Sequence, residues 1–336
     1  MRKNKWIRTI TIGMMLAIVL TFLKLPFYVT QPGMATELKP MVEVENGFHE
    51  QGTFRLTTVR IGRANLYTYL WAQTQKYYEV FPIEDVKYEG ETDEQYIKRQ
   101  IHMMEASQQS AIKVAYEKAN KPIRLKYKGI VVMQVLENMP AFNILKMGDR
   151  IYEVDGQEIH TADEFIEIVK QKKAGEMLTL SIERDGHELT KTIEVVPFPD
   201  QRDQVGIGVS LITDRELETS PNIILNTKDI GGPSAGLMMT LEIYNQLTEE
   251  DITKGYKIAG TGTINEEGKV GPIGGIAQKI VAADKAGVDI FFAPNENGAK
   301  NSNYEEAVQT AKDIDTNMKI VPVDSFEDAI QYLKTQ

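Results

Sequence analysis

The chain has 336 residues, of which 42% are hydrophobic and 26% are charged. This globular composition and this length predict two compact domains with additional segments. The lack of cysteine excludes disulfide bonds, thiolate metal sites and cysteine nucleophiles. Residues 1–30 hold five basic and no acidic side chains, and the remainder has 33 basic against 48 acidic residues, a net charge of −15. So acidic a body would repel phosphates, which excludes nucleic acid as a partner.

The N-terminal segment predicts a membrane anchor. Four basic residues precede an apolar run from Ile10 to Leu23, and residues 10–29 have the ~20-residue length that spans a bilayer. Lys24 would reach the far interface, and the basic flank would stay in the cytoplasm, which puts the C-terminal body outside the cell membrane. We therefore expect one retained signal-anchor helix in residues 1–34. The alternative is a signal peptide cleaved at Gly33-Met34-Ala35.

Two regions flank a distinct central unit. In residues 35–124, strand patterns precede a capping box from Thr92 to Gln95, which predicts a helix that ends near Lys118. In residues 201–336, strands and helices alternate. The fold class predicted for the chain is α+β.

The central unit, residues 125–200, has strand patterns with turn signals at Asp155-Gly156 and Asp185-Gly186. It resembles a PDZ domain through Gly148-Asp149-Arg150-Ile151 followed by Val154-Asp155-Gly156. The segment Tyr127-Lys128-Gly129-Ile130 stands where that family has its carboxylate-binding loop. The resemblance implies that Tyr127, Lys128, Gly129 and Ile130 bind a peptide, which would pair with the following strand. The alternative is a PDZ fold that serves only as a spacer.

The string from Asp229 to Gly236, Asp-Ile-Gly-Gly-Pro-Ser-Ala-Gly, places Ser234 directly before a predicted helix. Its glycines allow the backbone to approach a substrate closely. Free N–H groups at a helix start can stabilise an oxyanion, which makes Ser234 a candidate nucleophile with Ala235 beside it. The alternative is an ordinary serine helix cap.

The same string spells Gly-x-Ser-x-Gly, the nucleophile elbow of α/β-hydrolases, in which an acid and then a histidine follow the serine. Such a triad is disfavoured here, because all four histidines precede Ser234: His49, His102, His160 and His187. A small-ester hydrolase that depends on His160 or His187 stays as an alternative. The sequence predicts no metal site, no cofactor and no ATP-binding loop, because it contains no His-Glu-x-x-His, compact ligand cluster or Gly-x-x-x-x-Gly-Lys-[Ser/Thr].

Without a histidine, the serine hydroxyl needs another base. A lysine can serve if burial lowers its pKa from ~10.4 towards ~7–8. Lys279 follows Pro272-Ile273-Gly274-Gly275 on a predicted helix, where its neighbours one turn away are small or apolar. It is therefore the candidate base, and the alternative is a lysine whose charged end reaches the surface.

These strings in order resemble the proteolytic domain of Lon-type serine–lysine proteases: Gly-Pro-Ser-Ala-Gly, Gly262-Thr263-Ile264, Pro272-Ile273-Gly274-Gly275 and Lys279. The resemblance implies that Ser234 is the nucleophile and Lys279 the base. It further implies that Thr261 helps to hold the lysine and that Asp229 is the acidic position upstream of the serine. Ile230 and Gly231 depart from the family's Lys-Asp-Gly-Pro-Ser.

The whole chain resembles the membrane-anchored, PDZ-containing Lon-like proteases of Gram-positive bacteria, in which the ATPase is missing. This implies that residues 35–124 and 201–336 form one protease domain into which the PDZ unit is inserted. The implied function is an ATP-independent serine endopeptidase that cleaves extracytoplasmic peptides or unfolded segments. The alternative is a tethered PDZ scaffold with an inactive protease-like domain. The expected partners are a peptide or protein substrate and the membrane, and a homo-oligomer is also allowed.

Overall fold

The chain forms two compact units in a computed structural model that describes residues 2–88, 91–199, 201–227 and 230–336. The first unit combines Met1–Lys121 with Pro221–Gln336, and the second is Pro122–Ser220. The second unit therefore interrupts the sequence of the first. It extends past the boundary expected at residue 200, because its last strand pairs along its whole length with its first strand.

The first part of the first unit contains a long helix that leads into the second unit. A capping box starts this helix: the Thr92 side chain accepts from the Gln95 N–H, and the Gln95 side chain accepts from the Thr92 N–H. The helix ends at Lys118, as the sequence predicts. The elements are α1 (Arg2–Phe22), β1 (Lys24–Glu37), β2 (Val42–Val44), β3 (Thr53–Asn65), α2 (Leu66–Ala72), β4 (Glu79–Pro82), α3 (Ile83–Val86) and α4 (Asp93–Lys118).

The predicted membrane anchor over residues 10–29 is wrong as a single helix. Helix α1 ends at Phe22, and the chain continues as β1, which pairs with β3 and β4. The apolar residues Leu25–Val29 of the expected span thus belong to a sheet, and Tyr28 and Val29 are buried there. Among the described residues, no helix combines the length and apolar character needed to cross a bilayer.

The second unit is an antiparallel sheet packed against one amphipathic helix. The strand order is β12-β5-β6-β8-β9, with β7 paired to β6. Asp185 and Gly186 both have positive φ, as the tight turn between β8 and β9 requires. The elements are β5 (Ile123–Val135), β6 (Arg150–Val154), β7 (Gln157–Glu158), α5 (Ala162–Lys170), β8 (Met177–Arg184), β9 (His187–Glu194), β10 (Val196–Phe198), β11 (Gln201–Gly206) and β12 (Val209–Thr219), with a 3₁₀ turn at Pro140–Asn143.

The rest of the first unit alternates strands and helices, as the sequence predicts. Its elements are β13 (Ile223–Leu225), α6 (Gly236–Leu247), β14 (Lys257–Gly260), β15 (Thr263–Ile264), β16 (Val270–Gly271), α7 (Ile276–Lys285), β17 (Ile290–Pro294), α8 (Asn303–Asp313), β18 (Lys319–Val323) and α9 (Phe326–Lys334), with a 3₁₀ turn at Glu296–Gly298. All five residues of β17 are buried, as is typical of a central parallel strand.

The main sheet of the first unit has the strand order β18-β17-β14-β3-β1-β4. Strands β3, β14, β17 and β18 are parallel, and β1 is antiparallel to its neighbours β3 and β4. Strand β14 ends at Gly260, opposite Leu56 of β3. Beyond this point, β3 continues without β14, and the space that opens at the end of β14 holds the candidate site.

Candidate active site

Ser234 lies in the loop that enters α6. Gly232 has φ +85°, a left-handed conformation that favours glycine, and it turns the chain just before Pro233 and Ser234. Gly236 follows, and a Cβ atom there would lie 2.7 Å from the Ser107 Oγ atom, so the close approach of the two helices requires a glycine. The serine therefore stands at the start of the buried helix α6 and faces a cleft.

Lys279 lies on α7, and only 3% of its surface is exposed. Its Nζ atom donates to the Ser234 Oγ atom at 2.8 Å and to the Thr261 Oγ1 atom at 2.8 Å. Burial lowers the pKa of Lys279 from 10.5 to about 7. The structure thus brings together the two residues that the sequence proposes as nucleophile and base, with an amine that is half neutral at about pH 7.

Thr261, directly after β14, links the two residues. Its side chain is fully buried, accepts from the Lys279 Nζ atom, and donates to the Ser234 carbonyl oxygen at 3.0 Å. The Gly262 N–H donates to the same carbonyl at 2.9 Å. The end of β14 therefore contacts both the backbone of the serine and the amine of the lysine.

Gly275 positions the start of α7. Its φ of +71° is left-handed, and a Cβ atom there would lie 2.8 Å from the Val59 Cγ2 atom. Glycine is thus required on both conformational and steric grounds. The Gly275 carbonyl accepts from the Lys279 N–H, which starts the helical turn that carries the lysine.

Ala235 and Asp229 have different outcomes. Ala235 is buried beside Ser234 as the N-cap residue of α6, where the backbone N–H groups of a helix start lie. Asp229, the expected acidic position, lies outside the described residues. An oxyanion site around Ser234 and Ala235 stays a prediction.

Helix α4 holds the serine loop, and sequence reasoning missed this role. The buried Ser107 hydroxyl donates to the Pro233 carbonyl at 2.9 Å, and the Gly232 N–H donates to the Gln100 carbonyl at 2.8 Å. Gln100 and Ser107 are seven positions apart and so lie on the same face of α4. They contact the serine loop on either side of Pro233. No local pattern in the sequence indicates these contacts.

The cleft beside Ser234 has a volume of about 830 Å³. Its lining includes the segment Thr57–Ile61 of β3 and the segment Pro272–Gly275 before α7. Residues Val59–Ile61 pair with β1 on one side. No strand within the described part of the chain pairs with their other edge, so their backbone can accept an extended peptide there. Much of the lining is apolar and consists of Met34, Met41, Leu56, Phe81, Ile230 and Pro233.

Glu242 of α6 and Glu50, which precedes β3, form a carboxyl pair. Glu242 is fully buried, and its Oε1 atom accepts from Gln246 at 2.5 Å. Burial and the negative charge of Glu50 raise the pKa of Glu242 to about 8, and burial also raises the pKa of Glu50. The pair therefore carries a proton near neutral pH, because two adjacent buried carboxylates repel each other.

The second unit has its own groove, of about 840 Å³. Helix α5 supplies Phe165, Ile166 and Val169 on one side, and the other side is the segment 204–211. Gly206-Ile207-Gly208-Val209 within that segment has the Gly-x-Gly-x spacing of a PDZ carboxylate-binding loop. The carbonyls of Ile207 and Gly208 accept from Ala141 and Leu136, which fixes the loop.

The segment that the sequence proposes for peptide binding lies elsewhere. Tyr127, Lys128, Gly129 and Ile130 are on β5 between β12 and β6, and Ile130 is fully buried in the core. Tyr127 stacks on His160, and Lys128 pairs with Glu216. The groove is instead lined by the loop before β12, which lies beyond the boundary expected at residue 200.

Two family models match the chain. Residues 100–195 match a PDZ domain, and residues 227–335 match the Lon protease (S16) C-terminal proteolytic domain. The second match contains Ser234, Thr261 and Lys279. This domain, with the Lon relatives described next, supports a serine peptidase of the Ser–Lys dyad family.

The relatives are Lon proteases. That of Campylobacter concisus is 36% identical over 101 residues, which cover 30% of this chain and 12% of the relative. That of Mycoplasma mobile is 35% identical over 102 residues, which cover 30% of this chain and 11% of the relative. The chain thus spans about one eighth of the length of the curated relatives that it matches.

Solved structures similar to part of the chain include PDZ domains. The PDZ domain of the SdrC-like protein from Listeria monocytogenes is 28% identical and covers 26% of this chain and 92% of that chain, with a TM-score of 0.24. A protein of Geobacillus thermodenitrificans studied in solution is 40% identical and covers 25% of this chain and 95% of that chain, with a TM-score of 0.23.

Proposed function

We propose that the protein is an ATP-independent serine endopeptidase in which Ser234 is the nucleophile and Lys279 the general base. The observation that carries this proposal is the 2.8 Å distance between the Lys279 Nζ and Ser234 Oγ atoms, with the lysine buried. A lysine whose pKa is about 7 is half neutral at pH 7, which suits a base that works near neutrality. Thr261 is a positioning residue, since it holds the lysine amine and the serine backbone.

The reaction proceeds through an acyl-enzyme. The neutral Lys279 amine takes the Ser234 hydroxyl proton while the Oγ atom forms a bond to the peptide carbonyl carbon. When the tetrahedral intermediate collapses, its C–N bond breaks and the Lys279 ammonium gives the proton to the leaving amine. Water then attacks the ester carbon, Lys279 takes a proton from the water, and that proton returns to the Ser234 Oγ atom as the acid product leaves. Backbone N–H groups at the start of α6 stabilise the oxyanion.

The substrate is an extended peptide segment. The open backbone edge of Val59–Ile61 borders the cleft that holds Ser234, and strand addition there would align a peptide with the serine. A folded protein cannot supply such a strand without local unfolding. The apolar lining favours apolar side chains next to the scissile bond. Because the sequence has no ATP-binding loop, we propose peptides and locally unfolded segments as substrates.

The groove of the second unit serves substrate binding. Its two sides, α5 and the Gly206–Val209 loop, have the arrangement in which a PDZ domain adds a peptide strand. Ile166 and Val169 offer an apolar site for a side chain of that peptide. We propose that this groove raises the local concentration of substrates that carry a suitable segment.

The proposed location is the outer face of the cell membrane. The support is the basic N-terminal sequence before the apolar run of α1, which favours a cytoplasmic N-terminus. Apolar side chains of α1, including Ile10, Met14 and Phe22, are exposed and available for contact with lipid. Protease protection of a C-terminal epitope in intact cells would contradict this location, and its digestion would support it.

A cleavage assay tests the proposed chemistry. The purified chain, its Ser234→Ala and Lys279→Ala variants and a Lys285→Ala control are incubated with an unfolded protein and with short apolar peptides. Lys285 is exposed at the end of the same helix, so its loss should leave cleavage unchanged. We expect Ser234→Ala and Lys279→Ala to lose cleavage and Lys285→Ala to keep it. No cleavage by the unmodified chain would favour the inactive scaffold, and cleavage by Ser234→Ala would overturn the assignment.

A further inference from the structure

Helix α2 presents three large apolar side chains to solvent on one face. Leu70 and Trp71 are 55% and 59% exposed, and Tyr67 is also exposed. Their spacing of i, i+3 and i+4 puts them side by side. The opposite face is the one that packs: Ala72 is buried, and the Tyr69 ring contacts the Phe27 ring of β1. The exposed face is therefore turned away from the main sheet.

A hydrogen bond joins the start of α2 to the end of α1. The Asn65 side chain caps α2 by accepting from the Thr68 N–H, and its amide donates to the Thr21 carbonyl at 3.1 Å. One residue thus joins the start of α2 to the last turn of α1, where Phe22 and Leu23 are exposed. We call the exposed apolar side chains at the end of α1 and on α2 the α1–α2 surface: Phe22, Leu23, Tyr67, Leu70 and Trp71.

The charge around this surface is opposite to that of the rest of the chain. Residues 1–36 and 53–78 contain nine basic and no acidic residues, whereas the remaining sequence has 29 basic against 48 acidic residues. Arg55 and Lys76 have acidic partners from outside these segments, Glu37 and Asp313. Lys24 lies 4.0 Å from Asp93, which is also outside these segments, and Arg60 is exposed. The segments that carry the surface are thus basic on an acidic molecule.

We propose that the α1–α2 surface binds the interface of an anionic lipid bilayer, with Leu70 and Trp71 inserted at the level of the headgroups. Tryptophan and tyrosine favour this depth because their rings are apolar and their N–H and O–H groups reach water. Basic residues near an anionic membrane add attraction. A protein partner would not require a basic surround, and the acidic remainder of the chain would be repelled by the same lipids. The proposal extends the proposed location and is independent of the peptidase chemistry.

The two tryptophans of the chain, Trp6 and Trp71, make the test direct. In the full chain with Trp6→Phe, Trp71 is the sole tryptophan and reports on α2. Vesicles of phosphatidylcholine with phosphatidylglycerol should shift its emission to the blue, and brominated lipid should quench it. The reciprocal Trp71→Phe chain reports on α1. A shift of Trp6 with unchanged Trp71 emission, or no binding to vesicles at all, would overturn the proposal.

Partitioning provides the second readout. The double variant L70S/W71S should bind these vesicles at least about tenfold more weakly, since two large apolar side chains no longer leave water. The matched control is Ile224→Ser, which removes an equally exposed apolar side chain on β13. Equal binding by the double variant and the control would contradict the proposal. Cleavage of a soluble peptide without vesicles should be the same in all of these chains, which separates this surface from the proposed active site.

Discussion

The Lys279 Nζ atom lies 2.8 Å from the Ser234 Oγ atom, although 45 positions separate the two residues in the sequence. The loop that enters α6 holds Ser234 and helix α7 holds Lys279, and Thr261 at the end of β14 contacts both. The arrangement keeps a lysine away from water beside a hydroxyl. Its consequences for stability, for catalysis and for pH dependence can be measured separately.

Replacing Lys279 with methionine should stabilise the first unit. A pKa that falls from 10.5 to about 7 corresponds to roughly 5 kcal/mol of unfavourable burial below pH 7. Between pH 7 and 10.5 the unfolded chain binds more protons than the folded chain, so the stability of the unmodified protein rises with pH across that window. The gain from Lys279→Met should be largest below pH 7 and shrink towards pH 10.5. Denaturant unfolding at several pH values measures it.

The control for this prediction is Lys285→Met on the same helix, which removes an exposed lysine. It should change stability little at any pH. If the Lys279→Met chain were less stable than the unmodified protein at pH 6, burial of the Lys279 amine would not destabilise the fold, and the prediction would be wrong.

Thr261→Val should slow catalysis more than it weakens substrate binding. The valine keeps the volume but neither accepts from Lys279 nor donates to the Ser234 carbonyl. Loss of one or two buried hydrogen bonds of about 1–3 kcal/mol predicts a kcat about 10–100-fold lower. Thr261→Ser, which restores the hydroxyl, should recover most of the rate. An unchanged kcat in Thr261→Val would remove the positioning role.

Glu242→Gln should flatten the pH dependence of stability. The folded pKa of about 8 lies above the ordinary carboxyl value of 4.5, so the folded chain binds more protons between these values. The stabilising contribution is full below pH 4.5 and is lost as pH rises to about 8. Melting temperatures from pH 5 to 9 should therefore fall less steeply in Glu242→Gln than in the unmodified chain. The exposed Glu249→Gln should keep the original slope.

Ile166→Asp should weaken peptide binding by the second unit. Ile166 lines the groove and is 42% exposed, so an aspartate there disrupts the apolar site without entering the core. Cleavage of long unfolded substrates should show a KM several-fold to tenfold higher, while short peptides that reach only the cleft should be cleaved as before. The control is Met177→Asp, another exposed apolar residue of this unit. Identical kinetics for both variants would mean that the groove does not contribute to cleavage.

Local signals in the sequence predicted the elements that carry the site. The capping box at Thr92 predicts α4, and Gly275 before an apolar helix predicts α7; each depends on neighbours within one turn. Prediction of the Ser234–Lys279 dyad depended on the order of several sequence motifs. Neither Ser234 nor Lys279 lies in a motif that would identify a catalytic residue alone. Contacts between residues that are far apart in the sequence were not predicted.

The errors come from long-range pairing and from a boundary drawn too early. The apolar residues of Leu25–Val29 are equally compatible with a helix and with a strand, and only their pairing with β3 and β4 makes them a strand. The strand Val209–Thr219 pairs with β5, more than 70 positions earlier, which no local pattern reveals. The Gly206-x-Gly208 signal was present in the sequence but lay beyond the expected end of the unit. The contact of Ser107 with Pro233 has no sequence signal of its own.

The most direct test of the central claim is the pH dependence with which a serine-directed peptidyl phosphonate modifies the protein. Mass spectrometry of the digested protein should place the adduct on Ser234, and the modification rate should rise with pH through a single ionisation near pH 7, where the Lys279 amine becomes neutral. Lys279→Met should remove that dependence and most of the rate. An adduct on another residue, or a rate that rises only near pH 10, would contradict the account.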